Sequence, residues 1–467
     1  MPLLLPDDAP SNLPQRWLKL LSVQRIGTAG ATHRGEPDRT AFQQDYDRIV
    51  FSAAFRRMKD KTQVFPLAQS DYVRNRLTHS LEASCVGRSL GTAVGRILVQ
   101  RHQLQDQLHA SDFGAVVASA CLAHDIGNPP FGHAGEDAIR DWFCASGLFD
   151  KHGLTGAQRA DFERYEGNAQ GFRLLAQLQS PSNPGGLQLT AAVAASFAKY
   201  PCPSWTEQPL TGRSAKKFGY FQADAHFFAE AAEAVGLVAR DEAPGAWRRH
   251  PLAFLVEAAD DICYRVVDFE DAARLGVISY DTAESLLLTV AGGPDRASRL
   301  AHIVEPKERI EYLRAKAIGR LVEEAGACFL ENEAAIVDGT WDDELLAQSR
   351  VKDSLDEIER ISYEKIYICR AAMEVEAAGC EVLAGLLECF VTAVEEKAAQ
   401  LAGGAKPSTR SKVLLTLLPA QFLGPAGRPD EDPYLRLLKV VDFISGMTDS
   451  YAVTLYRRLK GIELPGA

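Results

Sequence analysis

No CxxC pair occurs in the sequence, and its nine cysteines are scattered singly. In a chain that is not exported, such an odd set of thiols is expected to be buried and reduced, which excludes a disulfide frame and a cysteine-ligated zinc. Any metal would then rest on histidine and carboxylate ligands. Long apolar runs are missing as well, none approaching the ~20 residues that a membrane-spanning helix needs. The opening stretch, "MPLLLPDDAP", lacks a basic lead and is apolar only briefly, so no secretion signal is read there. A cytoplasmic location without a membrane partner is expected. Positive charge is in deficit: the net charge of -11 argues against a protein that wraps nucleic acid, because phosphate backbones need a positive face. A local pocket of Arg and Lys can still hold an anion, since the Debye length is only about 8 Å at physiological salt.

Alternating strand patterns and repeats of fixed period are also absent. The sequence instead carries apolar residues at three and four spacing, as in "DFGAVVASACLAHDIG", "HPLAFLVEAADDICYRVVDFEDAARLG", "PKERIEYLRAKAIGRLVEEAGACFLENEAAIV" and "AAMEVEAAGCEVLAGLLECFVTAVEEKAAQL". An all-α fold is expected. With 467 residues, 46% of them hydrophobic and 24% charged, the chain has the balance of a globular protein and material for two or three domains. Turn-rich stretches such as "PSNPGG", "AGGAKPSTRS" and "LGPAGRPDEDP" break the helices. They suggest an N-terminal arm over residues 1–50, a helical core over 51–290 and a C-terminal helical region over 291–467. The helices after 290 either stand apart or complete the same body.

One stretch, "LAHDIGNPPFGHAGEDA", places His124 and Asp125 at the end of an apolar helix, before a loop stiffened by Asn128, Pro129, Pro130 and Gly132. His79 in "RNRLTHSLE" and Asp260 in "EAADDICYRVVDFEDA" complete a set of imidazoles and carboxylates suited to a metal between helices. A single helical histidine is more often a core residue, and Asp260 alone could be solvated. Tyr264 and Asp268, however, follow Asp260 at steps of four, which puts the three on one face over about 12 Å. Within an apolar segment that stripe reads as a pocket wall, since unpaired carboxylates are costly to bury. The loop would present His133 and Glu136 at the mouth, His133 as a proton donor; the same residues could simply cap the next helix. Arg76 shares a face with His79, and a guanidinium beside a metal suggests phosphate. Arg56, Arg57, Lys199, Lys216 and Lys217 add positive charge nearby, for which a surface role is equally in keeping.

Eight ordered stretches resemble the HD-domain phosphohydrolases and, more closely, the bacterial dGTPase family, the deoxyguanosinetriphosphate triphosphohydrolases. They are "DRIVFSAAFRRMKDKTQVFPL", "DYVRNRLTHSLE", "LAHDIGNPPFGHAGEDAI", "YEGNAQGFRLL", "KYP", "KKFGYFQ", "EAADDICYRVVDFEDA" and "DFISGMTDSYAVTLYRRLKG". The resemblance implies an HD helical core with additional C-terminal helices. It also implies cleavage of a deoxynucleoside triphosphate between the 5′ oxygen and the α-phosphorus, giving deoxynucleoside and tripolyphosphate. By the same resemblance His79, His124, Asp125 and Asp260 would ligate a divalent cation, Mg²⁺ or Mn²⁺, although such ligands accept other first-row ions. Asp125 would thus belong to the catalytic set together with His133, paired with Glu136 and acting as acid to the leaving oxygen. Tyr264 would pack against C2′ of the sugar, and Asp268 and Gln63 would bond the 3′-hydroxyl. Arg76, Asn128 and Lys217 would contact the triphosphate, and Asn168 would line the site. A dNTP effector or single-stranded DNA, and assembly into a homo-oligomer, a hexamer built with C-terminal contacts, are further implications. Tyr46 stands where an Arg is usual and Phe51 where a His is common, departures that touch subunit or regulatory contacts rather than the chemistry. The rival readings are an HD phosphohydrolase acting on nucleoside monophosphates or cyclic nucleotides, and a non-catalytic relative that binds nucleotide or single-stranded DNA.

Overall fold

The three- and four-residue periodicity becomes helix throughout the computed structural model, which describes residues 12–28, 38–63 and 74–463. Among these residues no β-strand forms, and extended backbone pairs only at isolated bridges such as Thr62 with Asn75. The all-α architecture is therefore as expected.

The elements that frame the site can be followed along the chain. Helix α1 (Arg76–Arg101) begins with a capping box, Asn75 accepting from the Thr78 amide while the Thr78 hydroxyl accepts from the Asn75 amide. Helix α2 (Ala110–Ala123) packs on it closely because α1 carries glycine at every fourth position on one face, Gly87, Gly91 and Gly95. A Cβ at Gly87 would lie 2.6 Å from the Cys121 sulfur, and one at Gly95 would lie 2.8 Å from the Phe113 ring. After the proline loop comes α3 (Gly132–Ala145), entered through Phe131 in the left-handed region at φ 64°. Two shorter helices follow, α4 (Gly167–Arg173) and α5 (Ala191–Phe197), then the long α6 (Pro251–Arg274). The C-terminal part supplies α7 (Pro306–Glu331), α8 (Lys352–Ser362) with a π-helical turn over Tyr363–Tyr367, α9 (Arg370–Leu401), α10 (Pro433–Ser445) and α11 (Asp449–Leu459).

Two apolar cores result. The first gathers Trp17, Phe113, Phe269 and Phe329 from the N-terminal segment, α2, α6 and α7, and extends to Ile366. The second joins Phe143 and Phe162 to Leu383, Phe390, Leu437 and Val441 of α9 and α10. Each core draws on residues before and after position 290. The expectation that no apolar run could span a membrane needs correction: over Ala372–Leu401, α9 is long and apolar enough by length and composition. Its Leu383, Leu386, Leu387 and Phe390 are fully buried in the second core, which accounts for the apolar content by protein packing. The nine cysteines are free, but Cys85, Cys144 and Cys380 are exposed rather than buried.

Arg173 on α4 ties the cores together. Its guanidinium donates to Asp442 of α10 at 2.8 Å and to Asp224 at 3.0 Å, and all three side chains are buried. Burial pushes Asp224 up to about 6 even with Arg173 beside it. Removing the cation from such a group leaves buried carboxylates unpaired, so Arg173→Met is expected to destabilise the fold by about 3–5 kcal/mol in denaturant unfolding. A carboxyl whose pKa is raised in the folded state takes up its proton there first. Without Arg173 the Asp224 carboxyl is raised further, so the deficit should shrink as pH falls toward about 6, where the wild-type carboxyl also takes up its proton.

Candidate active site

Two helix ends and one helix middle deliver the polar groups. His79 sits one turn into α1, His124 and Asp125 leave the C-terminus of α2, and Asp260 projects from α6. One ligand atom from each of His79, His124 and Asp260 lies within 4.8 Å of the other two. The Asp260 Oδ1 is 3.0 Å from His79 Nε2 and 3.3 Å from His124 Nε2, and Asp125 Oδ1 is 3.6 Å from His124 Nε2. On the other side of the same carboxylate, Lys199 Nζ donates to Asp260 Oδ2 at 2.6 Å.

The chemistry of this set fits a divalent cation. His124 Nδ1 is 2.6 Å from the Cys121 carbonyl, which can only accept, so Nδ1 carries a proton and Nε2 is the atom turned toward Asp260. Burial would lower the His79 pKa, but the hydrogen bond and charge of Asp260 reverse this and lift it to about 9. Burial would likewise raise Asp260 and Asp125. Instead Lys199 and His124 hold Asp260 well below its ordinary value, and Arg76 with the two histidines does the same for Asp125. Both carboxylates are thus kept ionised beside nitrogen donors, as a metal site requires.

A cleft of about 610 Å³ opens over the cluster. Gln63, Arg76, His124, Asp125, Asn128, His133, Glu136, Asn168, Lys217, Asp260 and Tyr264 all face it, whereas His79 lies beneath its floor with 1% exposure. Arg76 donates to Asp125 Oδ2 at 2.8 Å, and Asn128 donates to Asp125 Oδ1 at 2.5 Å. The Gln63 Oε1 is buried and has no hydrogen-bond partner. Asp268 is 2% exposed and stands behind the wall rather than on it; burial pushes its carboxyl up to about 7.

The expected pairing of His133 with Glu136 is not formed. Glu136 is 2% exposed and accepts from the Gly167 amide at 2.7 Å and from Arg140 at 3.4 Å, while His133, three residues earlier on α3, is exposed at the cleft rim. The buried Gly167 amide claims the Glu136 carboxylate, while the His133 ring stays at the surface. Lys217 donates to Glu166 at 3.2 Å, and Asn168 donates to the same carboxylate at 3.2 Å. Sequence reasoning missed Glu166, Arg140 and Tyr367. The Tyr367 ring stacks on Tyr264 with centroids 5.3 Å apart, and its hydroxyl donates to Asp268 at 3.4 Å. No spacing signal pointed to Tyr367, because it stands in the π-helical turn about a hundred residues beyond α6.

The chain matches the family models of the HD domain over residues 76–171 and of the phosphohydrolase-associated domain over residues 345–458. It is 46% identical to a deoxyguanosinetriphosphate triphosphohydrolase-like protein of Synechocystis, over 96% of this chain and 100% of the relative. A protein of the same description from Pseudomonas aeruginosa is 40% identical over 96% of this chain and 99% of its own. The deoxyguanosinetriphosphate triphosphohydrolase of Klebsiella pneumoniae is 31% identical over 90% and 94% respectively. With its ligand cluster, its cleft and these relatives taken together, the chain belongs to the deoxyguanosinetriphosphate triphosphohydrolase family of HD-domain phosphohydrolases.

Proposed function

We propose that the protein hydrolyses deoxynucleoside triphosphates to deoxynucleoside and tripolyphosphate. The observation that carries this reading is the convergence of His79, His124 and Asp260 under a cleft whose walls hold Arg76 and Lys217 on one side and Tyr264 on the other. A divalent cation held by His79, His124, Asp125 and Asp260, whether Mg²⁺, Mn²⁺ or another first-row ion, would supply polarisation of a phosphate oxygen and activation of water.

The remaining work falls to the chain itself. Arg76 and Lys217 would contact the triphosphate, each able to turn from a carboxylate to a phosphate oxygen. Asn128 orients Asp125 through its amide. His133, exposed at the rim, would give a proton to the departing 5′ oxygen. Glu136 anchors the Gly167 amide and so sets the start of α4, where Asn168 faces the cleft. Tyr264, backed by Tyr367, would exclude a 2′-hydroxyl by volume, while the unpartnered Gln63 Oε1 would accept from the 3′-hydroxyl and Asp268 would support the wall from behind. A dNTP effector, single-stranded DNA, a hexamer and a cytoplasmic location belong to this reading through the family resemblance.

Each dNTP incubated singly with protein and Mn²⁺ or Mg²⁺ should release tripolyphosphate, resolved by ion chromatography. Release of orthophosphate from deoxynucleoside monophosphates, with triphosphates untouched, would overturn the proposal. His133→Ala should lower kcat by about 10²–10⁴-fold with little change in KM, and Tyr264→Ala should admit ribonucleoside triphosphates.

Calorimetric titration with Mn²⁺ checks the ligand set separately. Asp260→Ala and His124→Ala should abolish tight binding, and His133→Ala should leave it intact.

A further inference from the structure

Asp449 opens α11, more than three hundred residues from Thr62 and Phe131, yet its carboxylate is 2% exposed and both its oxygens are engaged there. Oδ2 accepts from the Thr62 amide at 2.9 Å, and Oδ1 accepts from the Phe131 amide at 3.1 Å. Thr62 immediately precedes Gln63, and Phe131 is the left-handed residue from which α3 and His133 depart. A non-glycine residue held at positive φ persists only where its surroundings fix it. Here the fixing comes from the C-terminal helices: the Asp449 carboxylate holds the Phe131 amide, and its ring fits against Gly379 of α9, where a Cβ would approach to 2.6 Å. A second tether runs in parallel, with buried Lys61 donating to the carbonyls of Asn128 at 2.5 Å and Ser445 at 3.0 Å. The Lys61 carbonyl in turn accepts from the Arg76 amide at 3.2 Å, so one short segment touches three walls of the cleft.

We propose that Asp449 is a positioning residue: by binding the Thr62 and Phe131 amides with its two oxygens, it fixes the distance between Gln63 and His133 across the cleft. It acts through those residues and makes no contact with substrate. The C-terminal helical region thereby sets the catalytic geometry, and this inference rests on the activity proposed above.

The isosteric change Asp449→Asn keeps one acceptor and turns an NH₂ group toward the other amide, donor against donor. A misplacement of about 1 Å at such a site costs up to about a hundredfold, so kcat for the best dNTP should fall by about tenfold to a hundredfold while Mn²⁺ binding by calorimetry stays unchanged. The loss should largely disappear in the Gln63→Ala and His133→Ala backgrounds, as expected of residues acting as one unit. Amide hydrogen exchange at Thr62 and Phe131, measured without nucleotide, should quicken. Wild-type kcat in Asp449→Asn, or a loss that adds fully in both backgrounds, would overturn the inference. Should the Asn variant fail to fold, Asp449→Glu, which keeps the charge but displaces it by a methylene, should show the same kcat loss with Mn²⁺ binding retained, and wild-type kcat in it would be equally fatal. If the wild-type protein releases no tripolyphosphate from any dNTP, the functional reading fails instead; the exchange measurement then decides the tether alone, unchanged exchange at both amides rejecting it.

Discussion

One carboxylate oxygen, Asp260 Oδ1, stands within 3.3 Å of two imidazole nitrogens that come from different helices, and the rest of the structure is arranged to keep it there. Two packing decisions make this geometry. The glycine stripe of α1 lets α2 approach until side-chain atoms of one helix fill the place of a missing Cβ on the other, which brings His124 alongside His79 with ring centroids 5.2 Å apart. The third helix, α6, then lies across both with Asp260 facing inward. Lys199 restrains the carboxylate from behind, so that Oδ1 alone is turned to the histidines. A shift of α1 against α2 by one small side chain would separate the rings, because packed interiors yield little to added volume.

What the sequence made legible follows from how local the signals were. The helical architecture could be read because its periodicity is carried within each segment. The Asp260, Tyr264, Asp268 stripe needed only four-residue steps on one helix, and α6 is continuous over all three. The eight motifs brought their residues in as sets, and most of those residues face one cleft. The illegible part is non-local. The His133–Glu136 pairing failed because three residues along a helix does not guarantee contact once a buried amide from another helix, that of Gly167, claims the carboxylate. Tyr367 reaches the site from a π-helical turn whose sequence neighbours belong to another packing problem, and Asp449, although it stands in the eighth motif, carried no local signal of the two distant amides it binds. Asp268 lies on the expected face but one layer deeper than the wall, since a four-residue step gives direction around a helix and says nothing of what covers its far end.

The division of labour between the two cores explains why the C-terminal helices belong to the catalytic body. The first core carries the metal-binding candidates on α1, α2 and α6; the second carries α3, with His133 and Glu136, against α9 and α10. The cleft is the seam between them. Its width therefore depends on contacts that cross the seam: Arg173 with Asp442, Lys61 with Ser445, and Asp449 with Thr62. All are polar and nearly all are buried. Polar contacts of that kind add little net stability compared with apolar packing, but they fix registry where apolar surfaces could slide.

Charge within the cleft follows the same economy. Arg76 is held by Asp125, Lys199 by Asp260 and Lys217 by Glu166, so the cationic side chains facing a triphosphate are each already neutralised by a carboxylate. An incoming polyanion must compete with those carboxylates, and it does so unequally. Asp125 and Asp260 are held well below their ordinary values and stay ionised, which reserves them for a cation. Glu166 is different: burial and the neighbouring Glu136 push its carboxyl up to about 7 despite Lys217. Near neutral pH it can therefore take a proton at little cost and release the lysine to phosphate. On the proposed reading, the protein keeps its permanent negative charge beside the histidine cluster and its adjustable charge beside the lysine that would meet the substrate.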